Sequence, residues 1–511
     1  MFQLFIYAAA GLVFLAYCAE YVLTLRDHRD EPLRLRAKAP LIGHILGIIR
    51  SGPSYHSKLR NATDGEIYTL GILHFKLYTS VSVRLLPAIQ RQSRTLSFLP
   101  MLQHVARRWG DASDETNDIF GGPHCAADFS RAMRISLAPG PHLDEQNERM
   151  GNRALLDVDA LVDQAVEHKQ QQGGFRVGFL QWARHVVTQA SSAGVYGTRH
   201  PFLDAEVEKA FWQWHAHLSA HISGINLDVL GKGYAARQKV FDAHIEYCRD
   251  MPQDASMLFR ERWRVLREAG ISETDCIKQQ ATLPIGMLSN TVPTFYWTVW
   301  ELFSREEALA QVRDALEQQA VINLGKGRFA LDVAALKAQC PLLLSVFQET
   351  QRVRHIHAAI RKVMQDTLLD GKYLLKAGNY LQMPGNAIHS HEKIWGPTAS
   401  QFDPRRFVDA DKKRSGSDFL AWGAPPHLCP ARQFAATEIV ILVALLVMRV
   451  DLRPARGDTW EKNPTLDFND PITVLNPKRD AELVVIPRPQ WAGEWTLRML
   501  QSTVRVPLAS G

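Results

Sequence analysis

The chain has 511 residues, of which 46% are hydrophobic and 22% charged, a composition typical of a protein with a large core. Its 59 basic and 53 acidic residues leave a net charge of +6, and no basic block alternates with aromatic residues. Nucleic-acid binding is therefore not expected, whereas an anionic membrane surface or an acidic protein partner suits this charge. The six cysteines contain no CxxC pair, so the sequence predicts neither a disulfide framework nor a zinc site.

The first apolar run extends from Leu4 to Ala19 and continues after Glu20 to Leu25, about the length that a bilayer core requires. No basic residue precedes it, as one would in a secretory signal. Basic residues follow it instead, at Arg26, Arg29, Arg34, Arg36 and Lys38. Residues 1–25 are therefore predicted to be a single-pass anchor, and residues 26–39 a basic connector, with the rest of the chain cytosolic. A cleaved signal and a buried helix are the alternatives.

The remainder, residues 40–511, contains no Gly/Ser linker or repeat. Helical periodicity dominates from Leu85 to about Gln365, for example in Leu155 to His168 and Val207 to His221. Shorter pieces near 67–79, 373–383 and 481–486 predict strands. The apolar run 439–448 is too short to span a bilayer and predicts a core helix. The expected fold class is mainly α with small β-sheets, in one large domain.

A lone cysteine, Cys429, lies in the Gly/Pro-rich stretch 422–435 (WGAPPHLCPARQFA), which leads into a long apolar helix. Pro430 is suited to open that helix, because its missing N–H costs nothing there. The positive helix end would stabilise a thiolate at Cys429, and a thiolate is the axial ligand that favours O–O cleavage on haem iron. His427 is a candidate contact for a haem propionate, and Arg432 either for the same contact or for bracing the loop. A buried structural cysteine is the alternative.

Two further patterns precede this loop. Glu349 and Arg352 are spaced i,i+3 on a predicted helix, so they share a face and can pair. Arg406 belongs to the proline-marked segment 402–407 (FDPRRF). Each pattern alone is weak, because ExxR arises by chance on many solvated helices.

In this order, ExxR, PxRF and the cysteine loop resemble the cytochrome P450 superfamily of haem-thiolate enzymes. The resemblance implies the fold of that family, a haem bound through Cys429, and Glu349, Arg352 and Arg406 interlocked beneath it as structural residues. It extends to the N-terminal anchor, the basic connector, and Pro40 with Gly43. The loop is most similar to a branch that contains oxysterol and bile-acid hydroxylases and prostacyclin synthase, and the chain also resembles fungal biosynthetic members.

The loop departs from the family pattern FGxGxRxCxGxxxA. Trp422 replaces the aromatic Phe, Pro425 the second Gly, and Ala431 the Gly after the cysteine. His427 stands where an arginine is usual. The cofactor-binding residues implied by the resemblance are therefore Cys429, which is also the metal ligand, with Trp422, His427 and Arg432.

The family also carries an acid–alcohol pair, in the pattern (A/G)GxDT, on its long central helix. The corresponding stretch here is 286–293, GMLSNTVP. Thr291 matches the alcohol and Asn290 stands in place of the acid, so the resemblance implies that both are catalytic. Pro293 removes one helical hydrogen bond and predicts a kink. Apart from the resemblance, the same residues indicate only a kinked helix.

Three functions are consistent with this sequence. The first is a monooxygenase that oxidises a lipophilic substrate, such as a sterol, terpenoid or polyketide, with electrons from NADPH-cytochrome P450 reductase at the endoplasmic reticulum. A separate partner is required, because no GxGxxG indicates a built-in flavin or nicotinamide domain. The second is an isomerase in the style of prostacyclin synthase, which needs no reductase. The third is a non-catalytic haem- or lipid-binding protein.

Four segments are predicted to line the substrate pocket: 98–102, 211–221, the central helix and 472–475. The second of these contains His215, His217 and His221. Because no acidic partner follows the zinc-protease pattern, these histidines are expected to face an access channel or the membrane rather than a metal.

Overall fold

The computed structural model describes residues 2–52, 54–122, 124–168, 174–223, 227–408, 417–457, 459–468, 472–499 and 504–509. Helices predominate in these ranges and the strands form small sheets, as the sequence predicts.

The helices are α1 Phe2–Thr24, α2 Gly43–Ser51, α3 Ser54–Asn61, α4 Leu86–Arg91, α5 Leu99–Arg108, α6 Asp114–Gly121, α7 Cys125–Ser136, α8 Pro141–Glu167, α9 Phe179–Tyr196, α10 Ala205–His215, α11 Leu218–Ile222, α12 Lys232–Arg249, α13 Met257–Glu268, α14 Glu273–Ala281, α15 Leu283–Phe303, α16 Glu306–Gln319, α17 Val333–Gln339, α18 Pro341–Arg354, α19 Gly385–His389, α20 Glu392–Trp395 and α21 Arg432–Arg449. The strands are β1 Arg34–Leu35, β2 Ile67–Ile72, β3 Phe75–Ser80, β4 Leu96–Ser97, β5 Phe175–Gly178, β6 Val321–Gly325, β7 Arg328–Asp332, β8 Ala358–Val363, β9 Thr367–Leu369, β10 Tyr373–Leu375, β11 Tyr380–Pro384, β12 Val450–Pro454, β13 Glu482–Pro487 and β14 Glu494–Arg498.

Two helices form the centre of the molecule. In α15 nearly every residue from Leu283 to Phe303 is buried, and in α21 burial is continuous from Ala436 to Arg449. A helix that is apolar on all sides is stable only when other elements surround it. Here α8, α9, α16 and α18 pack around α15 and α21. The apolar run 439–448, predicted as a core helix, thus lies in the C-terminal half of α21.

The sheets lie outside this helical core. The largest has the order β1-β2-β3-β11-β8-β4, with β1 parallel to β2 and β3 parallel to β11. Two three-stranded sheets, β12-β13-β5 and β14-β7-β6, and the β9–β10 hairpin complete the strands. The sheet strand β8 directly follows α18, which places the ExxR helix beside the largest sheet.

None of the described side chains in residues Phe5–Thr24 of the first helix, α1, is buried, and this stretch is long and apolar enough to cross a membrane. The segment predicted as a connector is attached to the largest sheet. It contributes β1, and Lys76 of β3 contacts Asp27 and Glu31, both at 2.7 Å. Acidic residues within the basic segment thus pair with the sheet.

The predicted helix 207–221 is interrupted. It ends as α10 at His215, and α11 begins at Leu218. The ring Nδ1 of His217 lies 2.8 Å from the Gln213 carbonyl, the acceptor that the His217 N–H would use in a continuing α-helix. That N–H instead donates to the Trp214 carbonyl at 2.8 Å, which tightens the chain into a turn.

Candidate active site

The cysteine loop is folded by its own main chain. The Cys429 N–H donates to the Trp422 carbonyl at 2.8 Å, and the His427 N–H donates to the Ala424 carbonyl at 3.1 Å. Gly423 has φ +93°, and a Cβ at this position would lie 2.9 Å from the His427 carbonyl oxygen. Only glycine fits this turn without strain.

Helix α21 begins at Arg432 rather than at Pro430, because Pro430 and Ala431 still belong to the turn. The positive end of the helix is nevertheless close to Cys429, whose thiol is half-buried. Burial raises the pKa of the Cys429 thiol, while the Ala431 N–H and the charge of Arg432 lower it. Arg432 also donates to the Cys429 carbonyl at 3.1 Å and so braces the loop, one of the two roles predicted for it.

Glu349 and its two arginines form a buried cluster beside this loop. The Glu349 carboxylate accepts two bonds from Arg352, both at 2.7 Å, and one from Arg406 at 2.9 Å. As whole residues, Glu349, Arg352 and Arg406 are 0%, 1% and 9% exposed respectively. The Asp403 N–H donates to the same carboxylate at 3.0 Å. The structure thus brings together ExxR and PxRF, which lie more than fifty residues apart in sequence.

The two arginines use their remaining donors on main-chain carbonyls. Arg352 donates to His389 and Ala399, at 2.7 and 2.6 Å, and Arg406 donates to Thr398 at 2.9 Å. Charges buried to this extent are tolerable only when they are paired and hydrogen-bonded. The cluster therefore fixes α18 against the irregular segment that precedes the cysteine loop.

A third buried arginine, Arg361, contacts the cysteine loop directly. Arg361 of β8 is 3% exposed, and its guanidinium donates to the carbonyls of Ile360 and Ala424 at 2.8 and 3.1 Å. Between described residues, no ion pair joins Arg361 to a carboxylate. Phe98 contacts both the guanidinium, at 5.5 Å, and the His427 ring, at 5.6 Å. Burial, Arg361 and Arg134 lower the pKa of His427 to about 4.

The central helix carries the predicted acid–alcohol position. Thr291 is buried, and its hydroxyl donates to the Met287 carbonyl at 2.6 Å. Asn290 is engaged differently from what the sequence suggests, because its side-chain oxygen accepts the Thr473 N–H at 2.7 Å. Asn290 therefore attaches the central helix to the segment 472–475. Its side-chain amide oxygen already has a hydrogen-bond partner.

Side-chain contacts link, one after another, the elements that contain the four segments predicted to line the pocket. Phe98, which precedes α5, contacts His427 of the cysteine loop. The contacts that continue from there are Trp109 Nε1 to Leu218 O at 3.2 Å, His215 Nε2 to Ser289 Oγ at 2.9 Å, and Asn290 Oδ1 to Thr473 N at 2.7 Å. A series of contacts thereby links the cysteine loop to the central helix that carries Thr291.

The three histidines of 211–221 do not all behave as expected. His215 is buried against α15, not exposed to a channel or membrane. His221 is also buried, stacked on Tyr234 at 4.1 Å and bonded to Asp228 at 3.2 Å. His217, which is partly exposed, also lies near Asp228. The aromatic composition of this helix gave no indication of these polar partners.

The family model for cytochrome P450 matches residues 146–483, which include the Glu349 cluster, the Thr291 turn and Cys429. The chain is a cytochrome P450. Its cofactor is therefore haem with a cysteine thiolate as axial ligand, and the protein is a monooxygenase of the oxidoreductase class.

Curated relatives agree with this assignment. The P450 is 30% identical to "Cytochrome P450 monooxygenase nodJ" of Hypoxylon pulicicidum over 94% of this chain and 95% of the relative. It is 24% identical to a "Cytochrome P450 monooxygenase" of Gibberella zeae over 91% of each chain. It is also 29% identical to the human "7-alpha-hydroxycholest-4-en-3-one 12-alpha-hydroxylase", over 38% of this chain and 42% of that protein. The sequence analysis predicted both similarities, the bile-acid hydroxylase branch from the cysteine loop and the fungal members from the chain as a whole.

The residues around Cys429 fit a haem. A half-buried thiol is available for the iron. Arg361 is a buried cation without a carboxylate partner in the described part of the chain, which suits an anionic propionate. The buried Trp422 Nε1 has no hydrogen-bond acceptor among the described residues. Sequence reasoning identified Trp422 and His427 but missed Arg361, because the sequence predicts helix up to about Gln365, whereas Arg361 lies in the strand β8.

Proposed function

We propose that this P450 is a membrane-anchored enzyme that takes electrons from an NADPH-dependent reductase and oxidises a lipophilic small molecule in a biosynthetic pathway. The observation that carries the proposal is the continuous connection between the Cys429 loop and the Thr291 turn. These contacts support a site that contains both a thiol ligand and a hydroxyl group suited to proton transfer.

Each residue has a distinct part in this proposal. Cys429 binds the iron as a thiolate, and metal binding overrides the effect of burial on the thiol because a coordinating thiol is deprotonated outright. Arg361 and His427 would hold the propionates and Trp422 would contact the cofactor, while Arg432 braces the loop. When bound, the haem supplies the chemistry of O2 activation, which a thiolate ligand promotes.

Thr291 would hold a water or an oxygen substrate through its hydroxyl and would pass on a proton. Its present bond to the Met287 carbonyl, at 2.6 Å, keeps the hydroxyl in one orientation, and its oxygen can still accept a second bond. Asn290 acts as a positioning residue here, because its amide cannot carry a proton and its oxygen is bonded to Thr473. Glu349, Arg352 and Arg406 support the cysteine loop and do not touch the substrate.

Membrane attachment and a lipophilic substrate support each other. Helix α1 exposes large apolar side chains such as Phe14 and Leu15, at 68% and 63% exposure, and exposed apolar surface of this extent is favourable in a bilayer. The basic residues that follow it favour a cytosolic catalytic domain, as at the endoplasmic reticulum. Removal of residues 2–25 is expected to move the protein from the microsomal pellet to the supernatant; a truncated protein that stays in the pellet at high salt would contradict the anchor.

The first test of the cofactor assignment is Cys429→Ala. The wild-type protein, reduced and exposed to carbon monoxide, is expected to absorb at about 450 nm, and the variant should lose this band because it lacks the thiolate. Cys248→Ala is the matched control, since Cys248 is also a free, half-buried cysteine. A band that persists in Cys429→Ala would refute the proposed ligand.

The second test separates the proposed reaction from its alternative. An isomerase obtains its oxygen from the substrate, so it turns over without NADPH, reductase or O2. The absence of an acid beside Thr291 is the feature that favours this alternative. Substrate candidates are first screened by the shift of the haem absorbance band on binding. Conversion of a hit only with NADPH, reductase and O2 is the expected outcome, and conversion without them would overturn it.

A further inference from the structure

One hydrogen bond links α10 to the central helix. The ring Nε2 of His215 lies 2.9 Å from the Ser289 hydroxyl, and both side chains are buried. Between described residues, it is the only hydrogen bond, ion pair or aromatic contact that joins α10 with α15. Apart from shared apolar packing, this pair is therefore the direct link between the two helices in the described part of the chain.

The main-chain hydrogen bonding of α15 is interrupted at Ser289. In a regular helix its carbonyl would accept the N–H of the residue four positions later, but that residue is Pro293, which has no N–H. The Ser289 side chain also differs from the other hydroxyls of this helix. Thr291, Thr294 and Thr298 all donate to the carbonyl four residues earlier, at 2.6–2.7 Å. Ser289 bonds across to another helix instead.

The pair is a neutral contact. Burial lowers the pKa of His215 to about 3, so at neutral pH one ring nitrogen carries a hydrogen and the other accepts. The ring is held in place by Trp212 at 5.2 Å and Phe211 at 6.1 Å. Its orientation towards Ser289 is thus set by α10 itself.

We propose that His215 is a positioning residue, which through Ser289 sets the placement of the Thr291 turn and couples the position of α10 to proton delivery. Thr291 lies two residues after Ser289, within the turn opened by Pro293. Helix α10 leads into α11, which is bonded to α5 through Trp109 and Leu218 at 3.2 Å. A substrate that displaces α10, α11 or α5 thereby changes the Thr291 turn. The functional part of this proposal rests on the proposed oxygenase function.

The coupling itself is tested by hydrogen–deuterium exchange of the haem-loaded full-length protein. His215→Phe and Ser289→Ala should each speed amide exchange in residues 287–294 by about three- to tenfold, the change expected when one neutral hydrogen bond is lost. His215→Gln places an amide near the former Nε2 and should restore the wild-type rate. The matched control is His244→Phe, because His244 is another fully buried histidine, bonded within its own helix to Val240 at 2.8 Å.

A second readout concerns proton delivery. With reductase and no added substrate, electrons from NADPH leave either as hydrogen peroxide or, when protons are delivered, as water. The ratio of hydrogen peroxide to NADPH should therefore shift in His215→Phe and Ser289→Ala towards its limit of one, and the two changes combined should add little more because they remove the same bond. Equal exchange in His215→Phe and His244→Phe would overturn the coupling, as would failure of His215→Gln to rescue. Should His215→Phe not fold, Ser289→Ala tests the same bond from its other end. A wild-type protein that consumes no NADPH would refute the oxygenase function, whereas the exchange comparison would still decide the role of His215.

Discussion

The two sides of the site are held together in opposite ways. Next to the cysteine loop, Glu349 and two arginines form a buried ionic cluster with many hydrogen bonds. On the central helix, the Thr291 turn is held by single bonds between neutral groups, with one helical bond missing at Pro293. The first arrangement has one low-energy geometry, whereas the second can adjust at small cost. This difference suits a fixed metal ligand on one side and a turn that responds to substrate on the other.

The largest effect is expected from breaking the ionic cluster. Glu349→Ala or Arg406→Ala leaves a buried charge without its partner, which costs about 3–5 kcal/mol. Little haem-loaded protein should be recovered, as measured by haem content per protein and by the carbon monoxide spectrum. Arg264→Ala is the control, because Arg264 is also ion-paired, with Glu261 and Glu268, but at the surface. Normal haem content in both cluster variants would mean that the cluster does not support the loop.

The next effect concerns the adjustable side. Thr291→Ala should lower product formation by roughly 10²-fold, the scale of losing one proton-transfer group, while NADPH consumption continues and hydrogen peroxide accumulates. Thr298→Ala is the control, since Thr298 is buried and makes the same bond to the carbonyl four residues earlier. Thr291→Ser should retain much of the activity. Coupled turnover unchanged in Thr291→Ala would refute the role given to its hydroxyl.

The smallest effect sharpens the comparison with a second buried carboxyl group. Glu438 of α21 is fully buried and accepts a bond from Ser191 at 2.7 Å, and no ion pair joins it to a described cation. Burial raises the pKa of Glu438 from 4.5 to about 8, so the folded protein keeps a proton that the unfolded chain releases. Its contribution to stability is therefore complete below about pH 4.5 and declines as the pH rises through 8.

Glu438→Gln keeps the polar contact and removes the titration. Denaturant unfolding followed by circular dichroism should therefore depend less on pH between 5 and 8 than in the wild-type protein, with the variant the more stable of the two near pH 8. Glu301→Gln is the contrast, because Glu301 is paired with Arg305 and Arg354 at 2.6 and 2.5 Å. Parallel pH profiles for wild-type and Glu438→Gln would show that Glu438 is ionised in the folded protein.

Patterns that lie close together in the sequence predicted much of this molecule. The cysteine loop, the ExxR pair and the alcohol position were found because each is a short motif, and their order indicated the family and the mainly α fold. The contact of Arg406 with Glu349 followed only from that resemblance, since fifty-seven positions separate them. The start of α21 at Arg432 was missed by two residues, because the Pro430 turn competes with the helix.

Contacts between distant residues could not be predicted in the same way. Three hydrogen bonds depend on how elements pack in three dimensions. They join Asn290 to Thr473, Arg361 to Ala424, and His215 to Ser289. A histidine on an aromatic helix has the same local pattern whether it faces solvent, a ligand or a serine. Only the fold distinguishes these environments.

The attachment of the chain just after α1 has a mechanical consequence. Helix α1 ends at Thr24, and Asp27 is already bonded to Arg34 at 2.6 Å and paired with Lys76 at 2.7 Å. The Tyr17 hydroxyl of α1 itself donates to the Lys38 carbonyl at 3.3 Å. These contacts restrain rotation of the catalytic domain relative to α1. Where α1 crosses a bilayer, its tilt sets which face of the body meets the lipid surface, and substrates that arrive along the membrane meet that face in a constant orientation.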